Sequence, residues 1–290
     1  MTREKADGAP APKRLVVPAP AKLNLFLHVT GRRGDGYHLL ESLFVPIDLA
    51  DTIELSLRDD KAIVREAAID GVPEADDLTL RAAHALRGAR GLDAGVSIRV
   101  TKRIPKGAGL GGGSSDAASV LLALNRMWSL GLSRGELIAI GVRLGADVPF
   151  FLGDGPALVR GVGERITPMT LPAAWIALAM PALHVSTAAI FASRELTRST
   201  PSVKMNVFSE GYGRNDLEAA AVARHPRVGE VIAALSQVSA HARMTGSGSC
   251  VFAAFRTERE ARAALETLPG PMPRVVVRTL GRHPLAPFAR

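Results

Sequence analysis

Pro105–Ala118, PKGAGLGGGSSDAA, is a glycine-dense loop that runs through two serines into an apolar helix. Gly107, Ala108, Gly109, Gly111, Gly112 and Gly113 carry almost no side chain. The backbone can therefore curl with successive N–H groups pointing inward, which makes an anion-binding concavity. Ser114 and Ser115 stand where N-cap residues are preferred, and the helix behind them adds its positive dipole end. The guest this predicts is a polyphosphate, bordered also by Pro105, Lys106 and Leu110.

The context of the loop narrows which phosphate. Gly107, Gly109 and Gly112 satisfy G-x-G-x-x-G between a strand-like run, VSIRVTKRI (96–104), and a helix, as the dinucleotide fingerprint asks. No strand ending in Asp or Glu follows about twenty residues later to hold a ribose, which weighs against that reading. The Walker A pattern fails because Gly113 stands where its lysine belongs. A protein-kinase reading lacks any H-R-D or D-F-G downstream.

Outward from the loop, strand-like segments precede it at 21–29, 39–47 and 51–57, and LNLFLHV alternates with the period of a half-buried strand. A helix begins near Asp77, which sits at its N-cap. After the loop, helices are predicted from Ser115 to about residue 130 and over 133–144, followed by a break at GADVPFFL (145–152). The C-terminal half reads as a strand (174–180), helical stretches at 187–196, 215–224 and 228–238, and strands at 242–245 and 250–255. A helix (258–268) and a strand (273–280) finish it. The pattern predicts an α+β fold in two domains, 18–163 and 164–290, with residues 1–17 as a disordered leader.

A chain of 290 residues suits two such domains. Its 47% hydrophobic and 22% charged content is that of a soluble globular protein. The single cysteine, Cys250, excludes an internal disulfide framework and fits a reducing cytoplasm. No run reaches membrane-spanning length, and the first seventeen residues lack the apolar core of a signal peptide. The net charge of +8 fits either nucleic acid or anionic small molecules. Scattered arginines and only 4% aromatic residues favour small molecules over nucleic acid.

Four separated motifs then coincide: PAKLNLFLHVTGRRGDGYH (20–38), the glycine loop, LGADVPFF (144–151) and MTGSGSCVFA (244–253). Together they resemble the GHMP kinase superfamily, from about Ala19 to the C-terminus. The first and third resemble the branch acting on a cytidine diphosphate-linked methylerythritol. The resemblance implies a ribosomal-protein-S5-like nucleotide domain and a ferredoxin-like C-terminal domain, with the active site between them. It implies transfer of the ATP γ-phosphoryl to the 2-hydroxyl of that small-molecule substrate, with Mg2+, and neither nucleic acid nor membrane as partner. The expected assembly is a monomer or homodimer. The alternatives are a kinase of another small alcohol, homoserine or mevalonate, and a non-catalytic nucleotide- or RNA-binding protein on the same fold.

Carried over residue by residue, the resemblance makes Lys22 and Asp147 the catalytic pair. Asp147 accepts the hydroxyl proton, and Lys22 supplies a cation beside it. Asn24, two residues from Lys22, shares its strand face. Tyr37 and His38 hold the cytosine, by stacking and by hydrogen bonding. Thr187 and Phe191, one helical turn apart, close that pocket. Gly246, Ser247 and Gly248 lie beside the phosphates. Ser115 is the candidate protein ligand for Mg2+, an ion otherwise held by phosphates and water. Asp77 and Asp116 stand where relatives of this branch commonly carry Asn.

Overall fold

The computed structural model describes residues 12–183, 185–202 and 213–289. Two long strands, β1 (Arg14–Arg32) and β2 (His38–Arg58), form an antiparallel hairpin at its centre. The segments expected at 39–47 and 51–57 are thus one strand. Pro46 is accommodated because it lies opposite Lys22, where the register shifts between Pro20 and Lys22. Residues 14–17, assigned from sequence to the leader, are strand instead. They pair from Arg14↔Ser56 to Val17↔Ile53, and Val17 is buried in the core. Residues 1–11 of that leader lie outside the described residues.

β3 (Ile63–Arg65), α1 (Leu78–Ala89) and β4 (Gly95–Thr101) follow. Asp77 caps α1, its carboxylate accepting from the Thr79 N–H at 2.9 Å. The glycine loop leads into α2 (Gly112–Met127), then α3 (Arg134–Gly141), α4 (Val148–Phe151), β5 (Ala157–Gly161) and β6 (Arg165–Pro168). The sheet runs β3-β4-β2-β5-β6, with β1 also on β2. It therefore extends past residue 163 to Pro168. The helix α2 is buried almost all round, with Leu121, Leu122 and Leu124 fully buried. Such a helix lies inside the domain rather than on it.

The second sheet contains β7 (Trp175–Ala179), β8 (Arg243–Met244), β9 (Val251–Phe255) and β10 (Arg274–Arg278). It is antiparallel in the order β10-β7-β9-β8. Counted within the domain that is 4-1-3-2, the arrangement of a split βαβ fold. α5 (Thr187–Phe191), α6 (Glu218–Arg224), α7 (Pro226–Ser236) and α8 (Glu258–Glu266) complete it.

An apolar cluster joins the two halves. Ala21, Leu23, Val45, Ile104, Ala108 and Leu110 pack with Ile176, Leu178, Cys250, Phe252 and Val277. The glycine loop is thereby anchored on its apolar side, leaving its backbone free to face the cleft. Cys250 is core, and burial pushes its thiol up, far from reactive thiolate. The chain then returns to the first domain: the His283 N–H donates to the Asp154 carbonyl at 2.6 Å, and Asn125 donates to Phe288 O at 3.0 Å. Among the described residues, no helix is long and apolar enough to cross a membrane.

Candidate active site

The loop takes positive φ at Gly107, Gly109 and Gly111 (67°, 76° and 71°), alternating with ordinary conformations at Ala108 and Leu110. Alternation of this kind turns successive N–H groups to one side. Its carbonyls are used by the scaffold. Leu110 O accepts from the Lys22 N–H at 3.0 Å, and Ala108 O from the Cys250 N–H at 3.3 Å. Gly111, in the left-handed region, caps α2, so the helix starts at Gly112, three residues earlier than expected. Ser114 therefore belongs to its first turn, where N–H groups have no partner within the helix and suit an anion, whereas the Ser115 N–H donates to Gly111 O at 2.9 Å.

Ser115 does not fit the role of metal ligand. Its side chain is fully buried and donates to Pro20 O at 2.6 Å, which pins α2 to β1. Ser114, half-buried, is the hydroxyl of the pair that remains near the surface of the cleft.

The 244–253 motif lies directly against this loop. A Cβ on Gly246 would come within 2.8 Å of Gly109 O, and one on Gly109 would overlap the Thr245 carbonyl. Two glycine turns can interlock only because neither carries a side chain. Ser247 Oγ lies 2.8 Å from Thr187 Oγ1, linking this turn to the start of α5. The sequence thus marked two loops that the fold turns into one cradle.

Lys22 and Asp147 come together: Lys22 Nζ lies 3.6 Å from Asp147 Oδ2. Asp147 is held at the N-terminus of α4, half-buried and open to the cleft, whereas Lys22 is only 3% exposed. Burial lowers the Lys22 pKa, and the charge of Asp147 opposes that shift. The ammonium also sits 4.5 Å over the Phe44 ring and donates to Asn24 Oδ1 at 2.5 Å.

Asn24 departs from its expected substrate-binding role. It is buried, its Nδ2 donates to Ser42 Oγ at 2.8 Å, and its N–H donates to Thr245 Oγ1 at 2.9 Å. Its place is behind Lys22, fixing where the ammonium points. Phe44 and Ser42 carried no motif of their own, and Thr245 lay in the 244–253 motif without a role assigned to it. Only the alternation of β2 and the threonine before GSG stood as signals.

Gly34, Asp35 and Gly36 form a turn between β1 and β2. Gly36 N–H donates to Arg33 O at 3.0 Å, the Tyr37 N–H to Asp35 Oδ1 at 3.2 Å, and Arg32 Nε to Gly36 O at 3.0 Å. It delivers His38 to a cavity of about 760 Å³, lined by Tyr37, His38, Ala146, Pro149, Glu164 and Phe191 among others. His38 stacks on Phe191 with ring centroids 4.9 Å apart and an interplanar angle of 25°. That spacing is direct contact, so a base stacks on the outer faces and not between these two rings. His38 Nε2 is buried without a hydrogen-bond partner, an unfilled position that a polar ligand atom would satisfy. Tyr37 is 67% exposed at the rim. Thr187 is exposed at the other end of α5.

Ala146 and Pro149, which line the cavity, stand on either side of Asp147 in the chain. On the far side of Asp147 stand Lys22 and the glycine loop bonded to its backbone.

A third cluster supports the loop from behind. Lys102 Nζ bridges Asp51 Oδ2 (2.5 Å) and Asp116 Oδ2 (2.7 Å), and Asp51 Oδ1 accepts from the N–H groups of Arg103 and Ile104. Asp116 is pushed well up, by burial first and by the charge of Asp51, with Lys102 opposing. For Lys102, burial is outweighed by the two carboxylates and its pKa is raised. Asp77, 2% exposed, lies within 3.4 Å of Arg65 Nη1. Both carboxylates in positions more often Asn are thus paired with a cation.

The described residues contain no group of three or more His, Cys, Asp or Glu placed to hold a metal ion.

Comparison with known proteins agrees with this arrangement. The family described as GHMP kinases N terminal domain matches residues 77–155, and GHMP kinases C terminal matches residues 198–274. A 4-diphosphocytidyl-2-C-methyl-D-erythritol kinase of Thiobacillus denitrificans is 57% identical over 271 residues, 93% of this chain and 97% of that protein. One from Cupriavidus necator is 49% identical over 290 residues, 98% of this chain and 99% of its own. The crystal structure of a 4-(cytidine 5'-diphospho)-2C-methyl-D-erythritol kinase superposes with a TM-score of 0.80 at 36% identity, covering 91% of this chain and 99% of that one. A homoserine kinase from Cytophaga hutchinsonii superposes with a TM-score of 0.76 at 17% identity over 96% of this chain and 98% of its own, a likeness of fold alone.

Proposed function

The chain belongs to the GHMP kinase family, and from that premise we propose that it phosphorylates 4-diphosphocytidyl-2-C-methyl-D-erythritol at the 2-hydroxyl, using ATP. The observation that carries the reading is what surrounds Asp147. Its chain neighbours Ala146 and Pro149 line the pocket of His38 and Phe191, and its carboxylate lies 3.6 Å from Lys22 Nζ, whose backbone N–H bonds the glycine loop at Leu110 O.

Phosphoryl transfer asks the protein for positioning and charge neutralisation more than for covalent chemistry. The N–H groups of the glycine loop and of the first turn of α2 hold the phosphates of ATP. The cytidine end of the alcohol takes the cavity, with the unpartnered His38 Nε2 as its polar anchor. The acceptor hydroxyl then lies at Asp147, which takes its proton as the oxygen attacks the γ-phosphorus. Lys22, fixed by Asn24 and Phe44, keeps its positive end at the charge that builds on the transferring oxygens. Asp147 and the Ser114 hydroxyl are the residues that would hold Mg2+ through water, and the ion would supply charge neutralisation to the phosphates.

A coupled ATP-turnover assay with the cytidyl alcohol, homoserine and mevalonate tests the substrate. Turnover confined to the cytidyl alcohol is expected. Comparable rates with homoserine or mevalonate would overturn the assignment, because neither offers a base to the His38–Phe191 pocket.

A further inference from the structure

Phe191 is the last residue of α5, a helix of five residues and too short to hold its own position. The chain beyond it runs irregularly to Thr200, whose N–H bonds the Val29 carbonyl of β1 at 3.0 Å. A single guanidinium ties this segment into a knot. Arg198 Nη2 donates to the carbonyls of Phe191 (3.2 Å) and Ser193 (2.7 Å), and Nη1 donates to that of Leu196 (3.1 Å). Three carbonyls on one planar fork, at the C-terminal end of a helix, suit arginine and not lysine. The helix expected to reach 196 stops at Phe191, where this knot begins.

The same cation acts on the ring that Phe191 meets. Burial first, and then the charges of Arg198 and Arg32, hold His38 below the ordinary histidine value. The acidic groups that line the cavity are committed elsewhere. Asp35 pairs with Arg33 and the Tyr37 N–H, while Glu164 accepts from the Val162 N–H and lies beside Arg165. Burial and the neighbouring cations thus favour the neutral ring, and Nε2, buried without a partner, is placed to accept a hydrogen bond from an exocyclic amine.

We propose that Arg198 is a positioning residue of the substrate pocket: it sets where the Phe191 ring stands against His38, and so governs affinity for the cytidine end of the alcohol without lining the cavity itself. This rests on the substrate reading above. Arg198 lies in no recognisable motif, and its three acceptors are all backbone, so sequence patterns do not single it out.

Titration of the full chain with cytidine 5'-diphosphate tests it, alongside the KM for ATP. Arg198→Gln is expected to weaken cytidine diphosphate binding about tenfold while the KM for ATP stays within about twofold. Loss of the nearby charge removes one of the causes that hold His38 down, burial remaining the largest, so His38 takes its proton at a higher pH in the variant than in wild type. Binding to the variant therefore begins to fall at a higher pH than wild-type binding does. A role confined to folding would not create that pH dependence. Arg198→Lys keeps the charge but not the fork, so its binding is weakened with the wild-type pH profile, and it decides the matter if the glutamine variant does not fold. Binding within about twofold of wild type in both variants, or an equal loss for ATP, overturns the proposal alone. A wild-type chain that binds no cytidine diphosphate overturns the substrate reading with it.

Discussion

Gly246→Ala tests the interlocking of the two glycine turns, on which the phosphate cradle depends. Gly246 has φ +57°, and an alanine there would bring its Cβ to 2.8 Å from Gly109 O and 3.0 Å from Gly109 Cα. Ordinary contact begins near 3.4 Å, so the turns must separate by about 0.6 Å, and both neighbouring atoms are backbone that cannot rotate aside. Left-handed backbone adds about 1–2 kcal/mol of strain for any L-residue. Gly131→Ala separates the two effects. Gly131 has φ +61° with nothing within 4 Å of the added Cβ, so it carries the strain without the clash. Misplacing a reacting group by about 1 Å costs on the order of a hundredfold in rate, so a shift of about 0.6 Å should lower kcat/KM for ATP at least about tenfold. Thermal melts and steady-state kinetics on both variants are the assay. Both should melt a few degrees lower, and only Gly246→Ala should lose activity. If the two have the same kinetics, the turns do not form the cradle.

Two further outcomes depend on pH. Asp116 is raised in the folded state, so it binds its proton more tightly there than in the unfolded chain. Its contribution to stability is present at low pH and is lost as pH rises from the ordinary carboxylate range toward neutrality. Asp116→Asn, which leaves Lys102 paired with Asp51 alone, should flatten urea-unfolding stability across that window; an unchanged slope would refute the origin assigned to it. His283 behaves in the opposite sense. Burial, with the nearby charge of Arg134, pushes it down to about 4, so stability present above about 6.5 is lost as pH falls toward 4. The loss amounts to about 2 kcal/mol by pH 5. Its Nδ1 accepts from the Leu285 N–H at 3.1 Å, a bond that His283→Asn can copy. The asparagine variant should therefore lose less stability than wild type between pH 7 and 5, and parallel melting curves would contradict this.

Most of the frame was legible because its signals are local. Alternation in LNLFLHV, the N-cap at Asp77 and the glycine density of 105–118 each report on neighbouring backbone. The site was legible only where a motif carried it. Lys22 and Asp147 stand far apart in sequence, and no spacing rule joins them; the resemblance did. What was missed is physically of one kind, side chains whose partners are distant. The Ser115 hydroxyl looks like a phosphate or metal ligand in a loop, but the early start of α2 turns it onto the Pro20 carbonyl. Asn24 shares a face with Lys22 as periodicity required, yet β2 and the Thr245 turn cover that face and make the residue a support. The strand over 14–17 was hidden by the Ala- and Pro-rich composition around it, because its pairing partners lie some forty residues away at 53–56.

In the proposed reaction Asp147 is the group that receives the hydroxyl proton at the meeting point of the two substrates. Its most direct test is a rapid-quench single-turnover measurement of Asp147→Asn with ATP and the cytidyl alcohol, with nucleotide affinity measured in parallel. The substitution removes the base while the glycine cradle and the His38–Phe191 pocket stay in place. A chemical step slowed by about a hundredfold or more, at unchanged ATP affinity, is the predicted result. A chemical step within about threefold of wild type would contradict it.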